Sequence, residues 1–197
     1  MKELTYLLLL VVIYFVYTNI VRKRLFLVKV KSTQSDKGGS FWVRNLKDTQ
    51  EASDTLARLS KDLQAICDTC EEKLAEDTDR AEAIQRLVKK FKSREITENI
   101  PGSTHVAYSV NKGDELSICI RDKNTEAFID GNTIRFVAIH ELAHIMTKST
   151  GHTPEFWDNM KYLLEVATSK GIYTPVDYTK NPTHYCGMDI TDTPLDM

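Results

Sequence analysis

The stretch 136–146 is apolar except for His140, Glu141 and His144, which form an HExxH pattern. In a helix, residues four apart lie on one face, so the two imidazoles can hold one metal ion while the glutamate lies beside them. Burying these polar groups without partners would cost several kcal/mol, so something must compensate them. The pattern therefore predicts a zinc site on a buried helix. The alternative is that the two histidines hydrogen-bond to neighbours in a core.

A catalytic zinc site takes three protein ligands and keeps one position open, so a third ligand is expected near this helix. His152 lies eight residues after His144, and a chain reversal at Gly151 would return its imidazole toward the helix. Glu155 is the other candidate, although an acidic residue in the first turn of the next helix also fits the helix dipole. The residues favour His152 and leave Glu155 open.

A second constraint is the apolar run from Leu4 to Val21, eighteen residues without a charge. As a helix it would rise about 27 Å, enough to cross a bilayer. The basic cluster 22–24 follows at once, which by the positive-inside rule places the C-terminal part in the cytoplasm. A cleaved signal peptide is the alternative, but its charges would precede the run. We therefore predict a single-pass membrane protein, N-out and C-in, with residues 4–21 in the membrane.

Hydrophobic periodicity predicts one helix from about residue 48 to 74 and a second that ends near residue 92, together a helical hairpin. Two short extended segments, 105–110 and 115–121, then predict a β-hairpin.

The helix that carries the HExxH pattern is expected to begin at Ile134, with Asn132 or Thr133 as its N-cap. The last predicted helix has Thr153 as N-cap and ends near Gly171. The final 25 residues are predicted to be irregular.

These patterns divide the chain into four parts, and the predicted fold class is α+β. They are a transmembrane anchor (1–24), a juxtamembrane tether rich in Ser, Gly and Lys (25–40), the helical hairpin (41–95) and the region around the motif (96–197). Residues 25–31 either extend the anchor or begin a strand.

Composition excludes some classes of protein. Of the 197 residues, 42% are hydrophobic, which excludes wholesale disorder, and the net charge of −2 excludes an overall basic nucleic-acid binder. Cytoplasmic placement predicts free thiols at Cys67, Cys70, Cys119 and Cys186. The first two form a CxxC pattern on the apolar stripe of a predicted helix, so we expect them to be small core residues.

The stretch His140–Trp157, HELAHIMTKSTGHTPEFW, resembles the metal-binding core of the SprT and WLM zincin metallopeptidases, in which HExxH is followed by GH-x-x-x-F/W. The resemblance implies a zincin-like domain in which His140, His144 and His152 bind zinc and Glu141 is the general base. It also implies that the aromatic pair 156–157 packs behind the site. A wider stretch is similar to uncharacterised metallopeptidases predicted in large eukaryotic DNA viruses and some algae.

We therefore predict a membrane-anchored zinc metallopeptidase that hydrolyses a peptide or protein substrate by zinc-activated water, with Glu141 as general base. The substrate would add as a strand along the edge of 115–121. SprT- and WLM-type enzymes are associated with proteolysis of DNA-bound proteins, but the chain lacks a recognisable DNA-binding module, so nucleic acid is not expected as a direct ligand. Candidate oxyanion or substrate contacts are Tyr185, His184, Tyr178, His105 and Tyr108.

Two alternative functions remain. One is a membrane-anchored structural or virion protein of the minor-capsid type, in a virion or host membrane, in which the metal only stabilises a zincin fold. The other is a zinc-dependent module that binds peptide without cleaving it. Glu141 favours catalysis, because a purely structural zinc site has no use for a general base.

Overall fold

The computed structural model describes residues 2–17, 25–34, 39–91, 95–100, 103, 107–110 and 115–195. Within them the elements are, in chain order, α1 (Lys2–Val16), β1 (Leu27–Lys31), β2 (Ser40–Arg44), α2 (Thr49–Glu72), α3 (Ala81–Phe91), β3 (Glu95–Glu98), β4 (Ala107–Val110), β5 (Glu115–Ile118), α4 (Gly131–Met146), α5 (Pro154–Ser169), β6 (Thr183–Tyr185) and β7 (Met188–Ile190).

Helices and strands are segregated along much of the chain, and the α+β fold class is confirmed. Five strands form one sheet in the order β1-β2-β3-β5-β4, and β6 and β7 form a separate hairpin. The pairs β1–β2 and β4–β5 are antiparallel, whereas β2–β3 and β3–β5 are parallel. Of the two predictions for residues 25–31, the structure shows the strand.

The long helix α2 packs against this sheet and against α3. Its apolar side chains recur every three or four residues, so they form one buried stripe. This stripe includes Leu56, Leu63, Ile66, Cys67 and Cys70, all fully buried. The predicted helical hairpin is therefore present as α2 and α3, and the predicted core role of the two cysteines is confirmed.

The helix α4 lies between α3 and α5 and is buried on most of its surface. Its N-cap is Asp130, whose carboxylate accepts a hydrogen bond from the Thr133 backbone N–H at 3.0 Å. The predicted N-caps, Asn132 and Thr133, were therefore wrong by two or three residues, because the helix begins at Gly131. At the other end, Arg86 of α3 donates to the Met146 carbonyl and satisfies one of the free C-terminal oxygens.

The predicted membrane anchor was wrong. Helix α1 has 15 residues, which rise about 22 Å, whereas the hydrocarbon core is roughly 30 Å thick. No helix in the described ranges is both long and apolar enough to span a bilayer. The single-pass, N-out and C-in location is corrected accordingly, and the end of the predicted span, 18–21, lies outside the described residues.

The C-terminal segment was predicted to be irregular and instead contains the β6–β7 hairpin. Its two-residue turn, Cys186–Gly187, has φ angles of 49° and 86°. Positive φ at both central residues is typical of the type I′ turns that join twisted antiparallel strands. The Cys-Gly pair was a signal for this hairpin, but three-residue strands are too short to show periodicity.

A disulfide joins Cys186 in this turn to Cys119, which directly follows β5, with Cα atoms 6.4 Å apart. That separation lies in the range of protein disulfides. The free-thiol prediction for this pair was wrong, because it depended on the predicted cytoplasmic location. The hairpin is thereby covalently attached to the end of a central strand.

The segment after Cys119 is itself held in place by Arg121, which is 2% exposed. Its Nε donates to Glu98 on β3 at 2.9 Å, and its Nη1 donates to Asp48, the residue before α2, at 2.6 Å. Removing one partner of such a buried ion pair would leave an uncompensated charge. The two contacts therefore hold the segment against β3 and the start of α2. The disulfide therefore ties the hairpin to a rigid part of the fold.

Candidate metal centre

Three imidazoles meet at the C-terminal half of α4. The i, i+4 spacing places His140 and His144 on one face, with their Nε2 atoms 3.2 Å apart. The chain then reverses at Gly151, which has φ of +83°, and returns the His152 Nε2 to 3.1 Å from that of His140. The ligand nitrogens of the three residues lie within 4.8 Å of one another.

This arrangement fits a tetrahedral zinc ion. Zinc–nitrogen bonds of about 2.0–2.1 Å place neighbouring ligand atoms roughly 3.3 Å apart, close to the separations of 3.2 and 3.1 Å between the His140 Nε2 and those of His144 and His152. Burial, then the charges of His144 and His152, lower the pKa of His140 to about 3. Its imidazole is therefore neutral near pH 7, the form that offers a lone pair to a metal.

The three rings rest on a common aromatic side chain. Phe156, in the first turns of α5, is fully buried, and its ring centroid lies 4.4, 4.6 and 4.9 Å from those of His144, His152 and His140. Trp157 lies next to it, 5.6 Å from the His152 ring. Phe156 thus packs behind the histidines and limits their rotation, as the family resemblance implied, whereas Trp157 also borders an open cleft beside the site.

Glu141 lies beside His140 on the same helix and is 7% exposed. It borders an open cleft of about 270 Å³ that lies between α4, α5, β4 and the β6–β7 hairpin. His140 lines the cleft as well. A carboxylate at this position can exchange a proton with a molecule that enters the cleft.

Comparisons with known proteins identify the family of this chain. A model of the WLM domain matches residues 71–189. The chain belongs to the WLM family. "Uncharacterized protein R325" of Acanthamoeba polyphaga mimivirus is 30% identical over 163 residues, which are 83% of this chain and 82% of that protein. The resemblance predicted from the motif is therefore confirmed, and the chain is a member of a zincin-like metallopeptidase family.

Two further similarities cover less of the chain or are more distant. "Uncharacterized protein 042R" of Invertebrate iridescent virus 3 is 36% identical over 83 residues, which are 42% of this chain and 50% of that protein. Among solved structures, Wss1 from Saccharomyces cerevisiae is 16% identical, with a TM-score of 0.45 over 66% of this chain and 87% of that chain.

In this WLM protein the loop that carries His152 is held by Glu155, the other candidate ligand. Its carboxylate accepts from the Lys148 N–H at 2.9 Å, the Ser149 N–H at 3.3 Å and the Ser149 hydroxyl at 2.7 Å. Led by the hydrogen bond from the Lys148 backbone, these contacts lower the pKa of Glu155. Both carboxylate oxygens are therefore engaged with the loop, and Glu155 acts on the site by positioning it.

We expect Glu155→Gln to weaken zinc binding about tenfold, because a group that orients a ligand typically contributes 10- to 100-fold to metal affinity. The amide keeps one acceptor but replaces the second oxygen, which accepts from Ser149, with a donor. Competition with a chelator of known affinity measures the change. Glu165→Gln, on the exposed side of the same helix, is the matched control. Equal zinc affinity in the two variants would contradict the positioning role.

The structure separates the candidate oxyanion contacts. Tyr185 lines the cleft but is fully buried, and its hydroxyl already donates to the Cys119 carbonyl at 2.7 Å. Burial, then the nearby charge of Glu141, raise the pKa of Tyr185. Its single hydroxyl proton is therefore already donated to the backbone. In this arrangement Tyr185 forms part of the cleft wall.

The other candidates have different surroundings. Tyr178 is buried with its ring centroid 4.6 Å from that of Phe136. His184 is exposed, and its Nδ1 lies 2.8 Å from an Asp189 carboxylate oxygen. His105 lies outside the described residues, as does the side chain of Tyr108, whose backbone belongs to β4.

The prediction that substrate adds along the edge of 115–121 is also corrected by the strand order. Residues 115–118 form β5, which pairs with β3 on one side and β4 on the other, so its edges are both occupied. The edge strand next to the cleft is β4, whose Ala107 lines it. The prediction failed because strand order depends on long-range pairing, whereas the pattern gives only local order.

Proposed function

We propose that this protein is a zinc-dependent peptidase that hydrolyses peptide bonds in a peptide or protein substrate. One observation carries the proposal: three imidazoles bring their ligand nitrogens within 4.8 Å of one another, next to a carboxylate that borders an open cleft. Structural zinc sites are closed by four protein ligands, whereas catalytic sites use three and keep one position open. A three-histidine set beside Glu141 therefore favours catalysis over a purely structural or binding role.

In this proposal His140, His144 and His152 hold the metal through neutral imidazoles. Bound zinc supplies Lewis acidity and lowers the pKa of water. Glu141 accepts the proton of the attacking water on a carboxylate oxygen and later delivers it to the leaving amine nitrogen. Phe156 and Glu155 keep the third histidine in place while this happens.

The substrate would bind as an extended chain. Within the described sheet, β4 has one unpaired edge, and a peptide that adds to such an edge gains backbone hydrogen bonds whatever its sequence. Ala107 at the start of β4 lines the cleft beside Glu141, so a strand added there would lead a peptide bond toward the histidines.

Metal content and metal-dependent cleavage test the proposal. The purified full chain is expected to bind one zinc ion and to cleave an unfolded protein, to lose cleavage with a chelator and to regain it with added zinc. We expect His144→Ala to lose stoichiometric zinc, whereas His184→Ala, an exposed histidine outside the triad, keeps it. Zinc-loaded protein that cleaves nothing across a broad panel of substrates would favour the structural function. Absence of zinc binding would contradict both the peptidase function and a structural function that depends on zinc.

A further inference from the structure

The cleft beside Glu141 has an apolar interior that the proposed chemistry does not itself require. The reacting groups occupy one end, where His140 and Glu141 line it. The rest of the lining is mostly apolar and comes from α4, α5, β4 and the segment of the hairpin, where Asp189 and Asp192 also border the cleft. The apolar side chains include Phe136, Val137, Met160, Ala107, Tyr185 and Ile190.

The size of this interior suits a large side chain. The cleft volume is about 270 Å³, and a cavity of about 150 Å³ is enough to hold a benzene ring. An aromatic or branched aliphatic side chain therefore fits, with space for the backbone that carries it. A small side chain would leave much of the apolar surface in contact with water.

The chemistry of the interior selects against negative charge. Met160 and Tyr185 are fully buried, and Phe136 and Ile190 are more than nine-tenths buried. An acidic side chain placed among them would lose its hydration without gaining a partner, at a cost of several kcal/mol. It would in addition meet the carboxylates of Glu141, Asp189 and Asp192, which border the same cleft.

One wall of the cleft is rigid, so the size limit is fixed. Tyr185 is held by its hydrogen bond to the Cys119 carbonyl, and the next residue, Cys186, is joined to Cys119 by the disulfide. The wall thus has two attachments to Cys119, the residue that follows β5. A wall that is already ordered loses little conformational freedom when a ligand binds, so complementary side chains bind more tightly.

We propose that this cleft is a specificity pocket that accepts a bulky apolar side chain from the substrate residue adjoining the cleaved bond. The inference rests on the proposed peptidase function for its location next to the scissile bond, and on the lining residues for its selectivity. The substrate class is therefore a peptide or unfolded segment with an aromatic or branched aliphatic residue at one position beside the cleavage site.

Binding tests the pocket without relying on turnover. Trp157 lines the cleft, and the chain has two tryptophans, so Trp42→Phe leaves Trp157 as the single fluorescent reporter. In the full-length, zinc-loaded Glu141→Gln protein, capped Gly-Phe-Gly is expected to change Trp157 emission and to bind at least about tenfold more tightly than capped Gly-Asn-Gly or Gly-Asp-Gly. Equal affinities for the three peptides would overturn the proposal.

Two variants alter the pocket from different sides. Ala107→Leu should fill its β4 side and weaken Gly-Phe-Gly binding at least about tenfold. Val137→Ala should enlarge it and shift preference from Leu toward Trp peptides. Ala75→Leu, at an exposed position outside the cleft, is the control for the first change. Circular dichroism and zinc content identify any variant that fails to fold. Unaltered peptide selectivity in both folded pocket variants would contradict the assignment.

The two hypotheses fail separately. If the wild-type protein cleaves peptides with no preference for an apolar residue beside the cleaved bond, the proposed specificity of the pocket is wrong and the peptidase function stands. If the pocket binds Gly-Phe-Gly selectively but zinc-loaded wild-type protein cleaves no substrate, the peptidase function is wrong and the pocket stands as a peptide-binding site.

Discussion

Glu141→Gln is expected to lower kcat/KM for peptide hydrolysis about 10³-fold and to leave zinc binding unchanged, because general-base catalysis typically contributes 10²- to 10⁴-fold. The amide has nearly the shape of the carboxylate and suits a side chain that is 7% exposed. It cannot accept a proton from water. Cleavage of a fluorogenic peptide by wild type and variant, each with measured zinc content, gives the ratio.

The control for this prediction is Glu82→Gln, the same change at an exposed position on α3. It should cleave at the wild-type rate. Retention of more than a tenth of wild-type kcat/KM by zinc-loaded Glu141→Gln would contradict the general-base role and direct attention to another proton acceptor. Loss of zinc from the variant would instead show that Glu141 orients the ligands.

Local rules predicted the parts of the site that lie within one helix or one turn. The spacing of His140 and His144 determines that they share a face of α4, and Thr153 with Pro154 determines where α5 begins, as the structure confirms. The return of His152 depends on a single turn at Gly151, so its proximity could be predicted from a short stretch of sequence.

Features that depend on distant residues were not predictable in the same way. The position of β5 inside the sheet requires β3 to pair beside it, although β4 and β5 are the neighbours in sequence. Whether the Tyr185 hydroxyl is available to an oxyanion was not predictable for a similar reason, since its partner is the backbone of Cys119, 66 residues away. Residue type identified Tyr185 as a possible donor, but only the fold determines whether its proton is already used.

The disulfide between Cys119 and Cys186 leads to the second large effect. The two residues are 67 positions apart, and a crosslink that closes a loop of this length restricts the unfolded chain enough to contribute about 4 kcal/mol. We expect Cys186→Ser to lower the free energy of unfolding by about that amount in denaturant titrations of oxidised protein. The wild-type protein in reductant should fall to nearly the same value.

The consequences of Cys186→Ser should differ between the metal centre and the cleft. The three histidines lie on α4 and the loop before α5, and Phe156 and Glu155 hold them without help from the hairpin. Zinc affinity should therefore survive under native conditions, whereas peptide selectivity should fall, because one cleft wall keeps only the Tyr185 hydrogen bond. Adding reductant to the variant is the internal control and should change neither property. Equal stability of oxidised wild type and Cys186→Ser would mean that the crosslink does not constrain the chain in solution.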